Sequence, residues 1–337
     1  MKADIFEKVF KNKTVFVTGH TGFIGSWLVQ WLSDLGANVI GFSLEPPTNP
    51  SLFESIKLEK KLVHIIGNVN DQSKLEKSIQ EHTPQFVFHL AAQPLVKTSY
   101  EQPLETIQTN VMGADNIVDA AIEKGVQKVI NLSTDKAVNP INLYGATKLV
   151  AEKIFVAANS FAGGKVKFSG VRYGNVIGSR GSVIPIFLGL KAAGKKEFPI
   201  TDPQMTRFWI SLDQSVELVI RALLEAEGGE IFIPKIPSMT IKNLAKAIDP
   251  ECTFSYTGIR PGEKLHESLI SDDEARNARE FNDVYVICPQ SFDTTIRLEK
   301  YNKYPAVPDG FVLRSDNPNM QLDREELREL VGSLEVG

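Results

Sequence analysis

The chain has 337 residues, of which 42% are apolar and 23% charged, with a formal net charge of −4. That length suits one large α/β domain with a smaller lobe attached. The charge excludes a global positive field that would draw nucleic acid or an anionic membrane, so any phosphate site must be local.

The opening MKADIFEKVFKNK lacks the apolar core of a signal peptide. No run of about 18 apolar residues could span a membrane, and a cytoplasmic location is expected. Residues 14–18 (TVFVT) then read as a strand, 23–35 as a helix stopped by Gly36, and 38–42 as a second strand. Residues 62–66 form a third strand, followed by a polar helix over 71–81. A fourth strand covers 86–90, and a long helix runs from Leu104 to Lys124. Residues 128–132 are the fifth strand, a helix opens near Leu143, and 166–171 are the sixth strand. Strands that alternate with helices and carry few polar breaks predict a parallel sheet covered on both faces. The expected fold is α/β, a Rossmann-type doubly wound parallel sheet with a smaller C-terminal substrate-binding lobe.

After Asn175, Gly and Pro become frequent, and the strand-like pieces 207–210, 230–233 and 253–256 are short and irregularly spaced. The expected organisation is a dinucleotide-binding domain over 1–174, to which about 206–235 returns, and an interleaved lobe over 175–337. The polar tail from Ser291 ends in an amphipathic helix near 323–331. Cys252 and Cys288 stand far apart with no CxxC or Cys/His cluster, which predicts two buried free thiols and no metal site.

Gly19, Gly22 and Gly25 lie in VFVTGHTGFIG, between the first strand and the first helix. Glycine allows the tight turn and lets backbone N–H groups approach a pyrophosphate, and the helix N-terminus adds partial positive charge. Gly19, Thr21, Gly22, Phe23, Ile24 and Gly25 are therefore expected to bind a dinucleotide. Ser43 stands at the end of the second strand, where an acidic residue would select NAD, and Glu45 follows two residues on. A serine neither repels nor clamps a 2′-phosphate, so NADP and NAD both stay open, with NADP the first choice. Asn68 and Val69 follow the third strand, where the family resemblance given below implies contacts to the adenine, and Leu90, Ala91 and Ala92 follow the fourth strand.

Within NLSTDKAVNPINLYGATK, Tyr144 and Lys148 are four apart and share one helix face. Oxidising a sugar alcohol needs a base for the hydroxyl proton, and tyrosine titrates near 10, too high for neutral pH. An ammonium at roughly 5 Å in an effective dielectric near 20 favours the phenolate by about 3 kcal/mol. Lys148 is therefore expected to pull Tyr144 down by a little over about two pKa units. Ser133 and Thr134 can orient the hydroxyl. Asp135 and Lys136 leave two readings open: an exposed turn with two charges, or the acid and base that a dehydration adds to oxidation.

STDKAVNPINLYGATK, VRYGNVIGSRGSVIP, MTRFWI, GGEIFIPKIPSM and IRPGEKLHE resemble the inverting UDP-N-acetylglucosamine 4,6-dehydratases, the C6-dehydratase/C5-epimerases of the pseudaminic acid pathway. These belong to the extended short-chain dehydrogenase/reductases. Related retaining enzymes usually carry Met where this chain has Tyr144. TGHTGFIGSWL, PTNPSLFE and HLAAQPLVKTSYEQP look more like CDP-glucose 4,6-dehydratases. The inverting family has a lysine soon after the paired alanines; here Pro94 takes that place, with Lys97 further on.

The resemblance implies that Tyr144 takes the C4 hydroxyl proton, Thr134 holds that hydroxyl, Asp135 is the acid at C6 and Lys136 the base at C5. It implies a tightly bound, recycled nicotinamide cofactor. It also implies substrate contacts from Lys97, Asn175, Val183, Arg207, Arg260 and Glu263, with Arg180 an alternative. A homo-oligomer formed through helices near Leu104 and Leu143 is implied as well. CDP-glucose dehydration, 4-epimerisation and a non-catalytic NAD(P) sensor are the alternatives. Intact Thr134, Asp135, Tyr144 and Lys148 argue against the sensor.

Overall fold

The computed structural model describes residues 2–179, 181–289, 299–322 and 326. Its main sheet has nine strands: β1 (Thr14–Thr18), β2 (Asn38–Ser43), β3 (Val63–Ile66), β4 (Phe86–His89), β5 (Lys128–Thr134), β6 (Lys167–Tyr173), β7 (Ile231–Pro234), β8 (Ala278–Phe281) and β9 (Val284–Ile287). Their spatial order is β8-β9-β7-β6-β5-β4-β1-β2-β3. The first seven run parallel, and the β8–β9 hairpin adds antiparallel to the β7 edge. The chain winds outward from β1 to β3, then returns to the other side of β1 at β4. Ligand crevices of doubly wound sheets lie at that switch point, outside the carboxyl ends of the strands.

Burial explains why these strands read as near-continuous apolar runs. Val15 and Val17 face one core layer, which they share with Leu28, Val29, Leu32 and Val219 of the helices Phe23–Asp34 and Leu212–Glu225. Phe16 faces the other, with Leu75, Ile117 and Phe155 from the helices Gln72–His82, Gly113–Lys124 and Leu143–Phe161. A third core, around Phe187, Phe198, Trp209, Met239 and Leu244, belongs to the lobe. It is built on the helices Val183–Ala192 and Ile241–Ile248 and on two small sheets.

Several expectations are corrected. The helix Lys2–Phe10 was not anticipated, and it drives Phe6 and Phe10 into the main core. The helix expected over 104–124 begins at Pro103 and passes through a π-helical turn, Gln108–Met112. Within the segment expected to rejoin the large domain, the strand Thr206–Ile210 pairs in a lobe sheet yet sends Phe208 and Ile210 into the main core, which the helix Leu212–Glu225 and β7 also join. The β8–β9 hairpin, further along the chain, joins the main sheet. Cys252 and Cys288 are buried free thiols, and burial raises both, Cys288 to about 11. Arg180 and nearly all of the helix expected near 323–331 lie outside the described residues. Among the described residues no helix is long and apolar enough to cross a membrane.

Candidate active site

The glycine loop sits where β1 and β4 diverge. Thr18 Oγ1 accepts from the backbone N–H groups of Leu90 (3.1 Å) and Ala91 (3.2 Å), so its own proton is left for His89 Nδ1 at 2.9 Å. This locks the two strand ends together. Gly19 has φ +71°, and a Cβ there would lie 2.7 Å from Ala91 N; one on Gly25 would lie 2.2 Å from Gly19 O. The following helix starts at Phe23 with no side-chain cap on its N-terminus. These contacts hold the loop in a tight turn that only glycine permits, and its uncapped helix N-terminus fits a dinucleotide pyrophosphate.

Thr21 Oγ1 donates to Leu44 O (2.9 Å), so the buried Ser43 hydroxyl donates to Thr21 Oγ1 (2.8 Å). The end of β2 thus abuts the loop through a neutral hydroxyl. Val69 is buried with its carbonyl held by Asn116 Nδ2 at 2.9 Å, while Asn68 is exposed and its Oδ1 accepts from Asn70 N.

The second half of the site forms where β5 runs into the turn Asp135–Ala137 and then the helix Leu143–Phe161. Asn142 caps that helix by accepting from Gly145 N at 2.7 Å. A Cβ on Gly145 would lie 2.2 Å from Lys136 O, so only glycine lets the helix start settle on the turn. This packing sets Tyr144 beside Thr134, Asp135 and Lys136. Asp135 is 0% exposed, which overturns the exposed-turn reading of the pair. Its Oδ1 accepts from Thr134 Oγ1 (3.0 Å) and Lys136 Nζ (3.0 Å), and its Oδ2 is buried without a hydrogen-bond partner among the described residues. Ser133 Oγ and the Asn131 amide are likewise buried and unpartnered.

The electrostatics differ from expectation. Burial pushes the Tyr144 phenol up, and the cation that opposes this is Lys136, not Lys148. Lys148 donates to Leu132 O at 2.6 Å, and burial lowers it to about 8 against the pull of Glu152. Burial also works against the Lys136 ammonium, but Asp135 and Glu267 outweigh it and hold the group above its ordinary range.

From the lobe, Arg207 is buried and donates to the carbonyls of Thr206 (2.7 Å), Lys264 (3.0 Å) and Leu265 (3.2 Å); its charge bears on Lys136. The loop over 260–267 is clamped to the segment that carries Asp135 and Tyr144: Asn142 Nδ2 donates to Gly262 O (2.8 Å) and Lys264 Nζ to Val138 O (2.6 Å). Arg260 itself is 73% exposed on its side chain, 3.9 Å from Glu263, whose Oε2 accepts from Arg260 N. Asn175 is partly buried at a strand start, and Val183 opens its helix. Lys97 is 87% exposed and pairs with Glu101 along its own helix, so the structure does not bring it into the cluster.

Two residues escaped the sequence reading. Asn110 sits in the π turn and ties Gln93 N, Gln93 O and Thr147 Oγ1 together. Glu267 is buried 3.6 Å from Lys136 Nζ; its signal was its place at the end of IRPGEKLHE.

A glycine cradle on a Rossmann sheet, with a tyrosine and a lysine one helical turn apart near its opening, defines an enzyme of the extended short-chain dehydrogenase/reductase class. Solved structures that share this fold include dehydratases and epimerases with NAD bound. The chain belongs to the polysaccharide biosynthesis protein family, whose model matches residues 15–289. It is 44% identical over 337 residues to a Campylobacter jejuni UDP-N-acetylglucosamine 4,6-dehydratase (inverting), covering 97% of this chain and 99% of that one. A Rickettsia massiliae UDP-glucose 4-epimerase is 36% identical over 343 residues, covering 97% of each. The X-ray structure of Pen from Bacillus thuringiensis superposes with a TM-score of 0.85 at 31% identity, covering 97% of this chain and 99% of that one.

Proposed function

We propose that this chain is a nucleotide-sugar 4,6-dehydratase that acts on UDP-N-acetylglucosamine and inverts C5. The observation that carries the reading is the buried Asp135–Lys136 pair beside Tyr144. A 4-epimerase needs only oxidation, rotation and reduction, and gains nothing from a desolvated acid and amine there. A dehydratase needs both. The similarity to the inverting dehydratase, across nearly the whole of both chains, supports the same reading.

A nicotinamide dinucleotide, NADP or NAD, would be held by Gly19, Thr21, Gly22, Phe23, Ile24 and Gly25, with Ser43, Asn68, Val69 and Leu90 to Ala92 around its adenosine and ribose. It supplies a hydride acceptor for C4 and a donor for C6. Tyr144 takes the C4 hydroxyl proton, with Lys148 beneath it and Thr134 orienting the hydroxyl. The C4 ketone acidifies C5–H, and Lys136 removes that proton. Asp135 protonates the departing C6 oxygen, which leaves as water. Lys136 returns a proton to the opposite face of C5. Arg207 and Arg260 hold the pyrophosphate, with Asn175, Val183 and Glu263 around the nucleotide and sugar. Exposed Leu104, Ile107, Met112 and Val150, on the helices expected to join subunits, support a homo-oligomer. The two free thiols support a cytoplasmic setting.

The test is incubation with UDP-N-acetylglucosamine and with CDP-glucose, followed by NMR. Loss of water with solvent deuterium at C5 of the first substrate is expected. Preference for CDP-glucose would reassign the substrate, in keeping with the N-terminal third. The second reading, a 4-epimerase, is favoured by the Rickettsia relative; unchanged mass with a C4 epimer would establish it. No turnover of either nucleotide sugar would point to a nicotinamide sensor.

A further inference from the structure

Glu267 has no part in the reaction as drawn above. Its backbone is fixed to the lobe: Glu267 N donates to Ser315 Oγ (3.0 Å) and Ser315 N donates to Glu267 O (2.9 Å). Its side chain is 3% exposed and stands between two ammonium groups, Oε1 3.6 Å from Lys136 Nζ and Oε2 3.4 Å from Lys264 Nζ. Oε2 is buried and accepts no hydrogen bond among the described residues. Such a carboxylate is costly to keep out of water.

Lys136 already has a closer partner, Asp135 at 3.0 Å. But Asp135 must carry a proton in order to deliver it to the C6 oxygen, and a protonated Asp135 no longer neutralises Lys136. Glu267 is then the anion left beside Lys136 when it takes the C5 proton.

We propose that Glu267 is a positioning residue for the dehydration step, the anion that holds and stabilises the Lys136 ammonium while Asp135 is in its acid form. The inference rests on the reading of Lys136 as the C5 base. The proton balance is simple. The C5–H bond breaks and its proton goes to Lys136 Nζ. The Asp135 O–H bond breaks and its proton goes to the departing C6 oxygen. Glu267 exchanges none. The charged or titratable groups facing Lys136 are Asp135, Glu267, Arg207 and the Tyr144 phenol; Lys264 faces Glu267 from its other side.

The experiment measures the pH profile of solvent-deuterium incorporation at C5 of UDP-N-acetylglucosamine, using the full chain with its cofactor. Glu267→Gln keeps the shape and removes the charge. Losing an anion lowers the proton affinity of the Asp135–Lys136 pair, so both limbs of the profile should move to lower pH by about one unit or more. kcat for exchange should fall at least about ten-fold with KM nearly unchanged, and Glu267→Asp should restore most of it. Lys264→Met removes the cation on the far side, so both limbs should move to higher pH. That opposite sign decides the matter even if the glutamine variant does not fold. Superimposed profiles, a loss confined to KM, or both variants shifting the same way would overturn the proposal. A wild-type enzyme that makes product without exchange at C5 would instead overturn the role of Lys136, and this inference with it.

Discussion

Tyr144 is buried among groups that pull its acidity in opposite directions. Burial, Asp135 and Glu267 keep the phenol protonated, and Lys136 with the Thr134 hydrogen bond favours the phenolate. On the proposed reading this oxygen is where the C4 hydroxyl proton goes, so Tyr144→Phe should lower turnover at least about 100-fold, with the nucleotide sugar still bound. Product formation by NMR alongside calorimetric titration checks this; near-normal turnover removes Tyr144 from the role. Lys136→Ala should spare substrate binding but abolish deuterium incorporation at C5, and normal exchange would refute its assignment. Tyr144, Lys148, Thr134 and Asp135 could be singled out from the sequence because they share one short segment whose spacing suggests the chemistry. Glu267 and Asn110 could not, because each acquires meaning only from partners brought close by the fold. The error over Lys148 has the same origin. Helical spacing places Tyr144 and Lys148 on one face but says nothing of the Leu132 carbonyl that takes the ammonium.

At the scale of the element, the strands up to β6 were legible because both faces of a parallel sheet are buried, which leaves continuous apolar runs in the sequence. The π turn was not: the bonds that its Asn110 side chain makes to Gln93 and Thr147 are tertiary and leave no local signal. The helix Lys2–Phe10 was passed over because a single amphipathic stretch gives a weak signal when its docking surface, the main core, is assembled later. The glycine loop could be singled out too, and the structure adds what crowds Gly19 and Gly25. Gly25 is the most crowded of the three: its Cβ would lie 2.2 Å from Gly19 O, a backbone atom that cannot swing aside. Gly25→Ala should therefore push the loop off the helix N-terminus and weaken nicotinamide dinucleotide binding by at least about ten-fold, roughly 1.4 kcal/mol. Fluorescence titration measures it, and unchanged affinity would show that the cradle is not the cofactor site.

Across the whole molecule, a buried arginine of the main sheet ties the helix of Tyr144 to the segment that follows Glu267. Arg172 of β6 is bidentate to Glu152 (3.0 and 2.5 Å), on the helix that carries Tyr144 and Lys148, and to Glu274 (2.9 Å each), beyond the strand Ser268–Ile270. The same strand follows Glu267, so one ion cluster registers both halves of the site. The interior also holds two histidines in their neutral form. Burial is the main reason that His20 and His89 both fall to about 3 from an ordinary 6.5; His64 adds to it at His20, and Lys148 at His89. In the unfolded chain both would protonate as pH drops below 6.5, while the folded protein leaves them neutral until about 3. The unfolded state then binds more protons, so the stability these groups contribute is present above 6.5 and is lost as pH falls toward 3. Most carboxylates titrate below about pH 5, so the interval from 7 to 5 reports on histidines, with about 2 kcal/mol from each of these two. Urea unfolding at the two pH values should show this loss. His89→Asn and His20→Asn should each remove about 2 kcal/mol of the pH dependence, whatever they do to stability at pH 7; burial also lowers His266, which adds to the dependence that remains. A wild-type protein equally stable at pH 7 and 5 would mean that these rings are charged inside the fold, or that water reaches them.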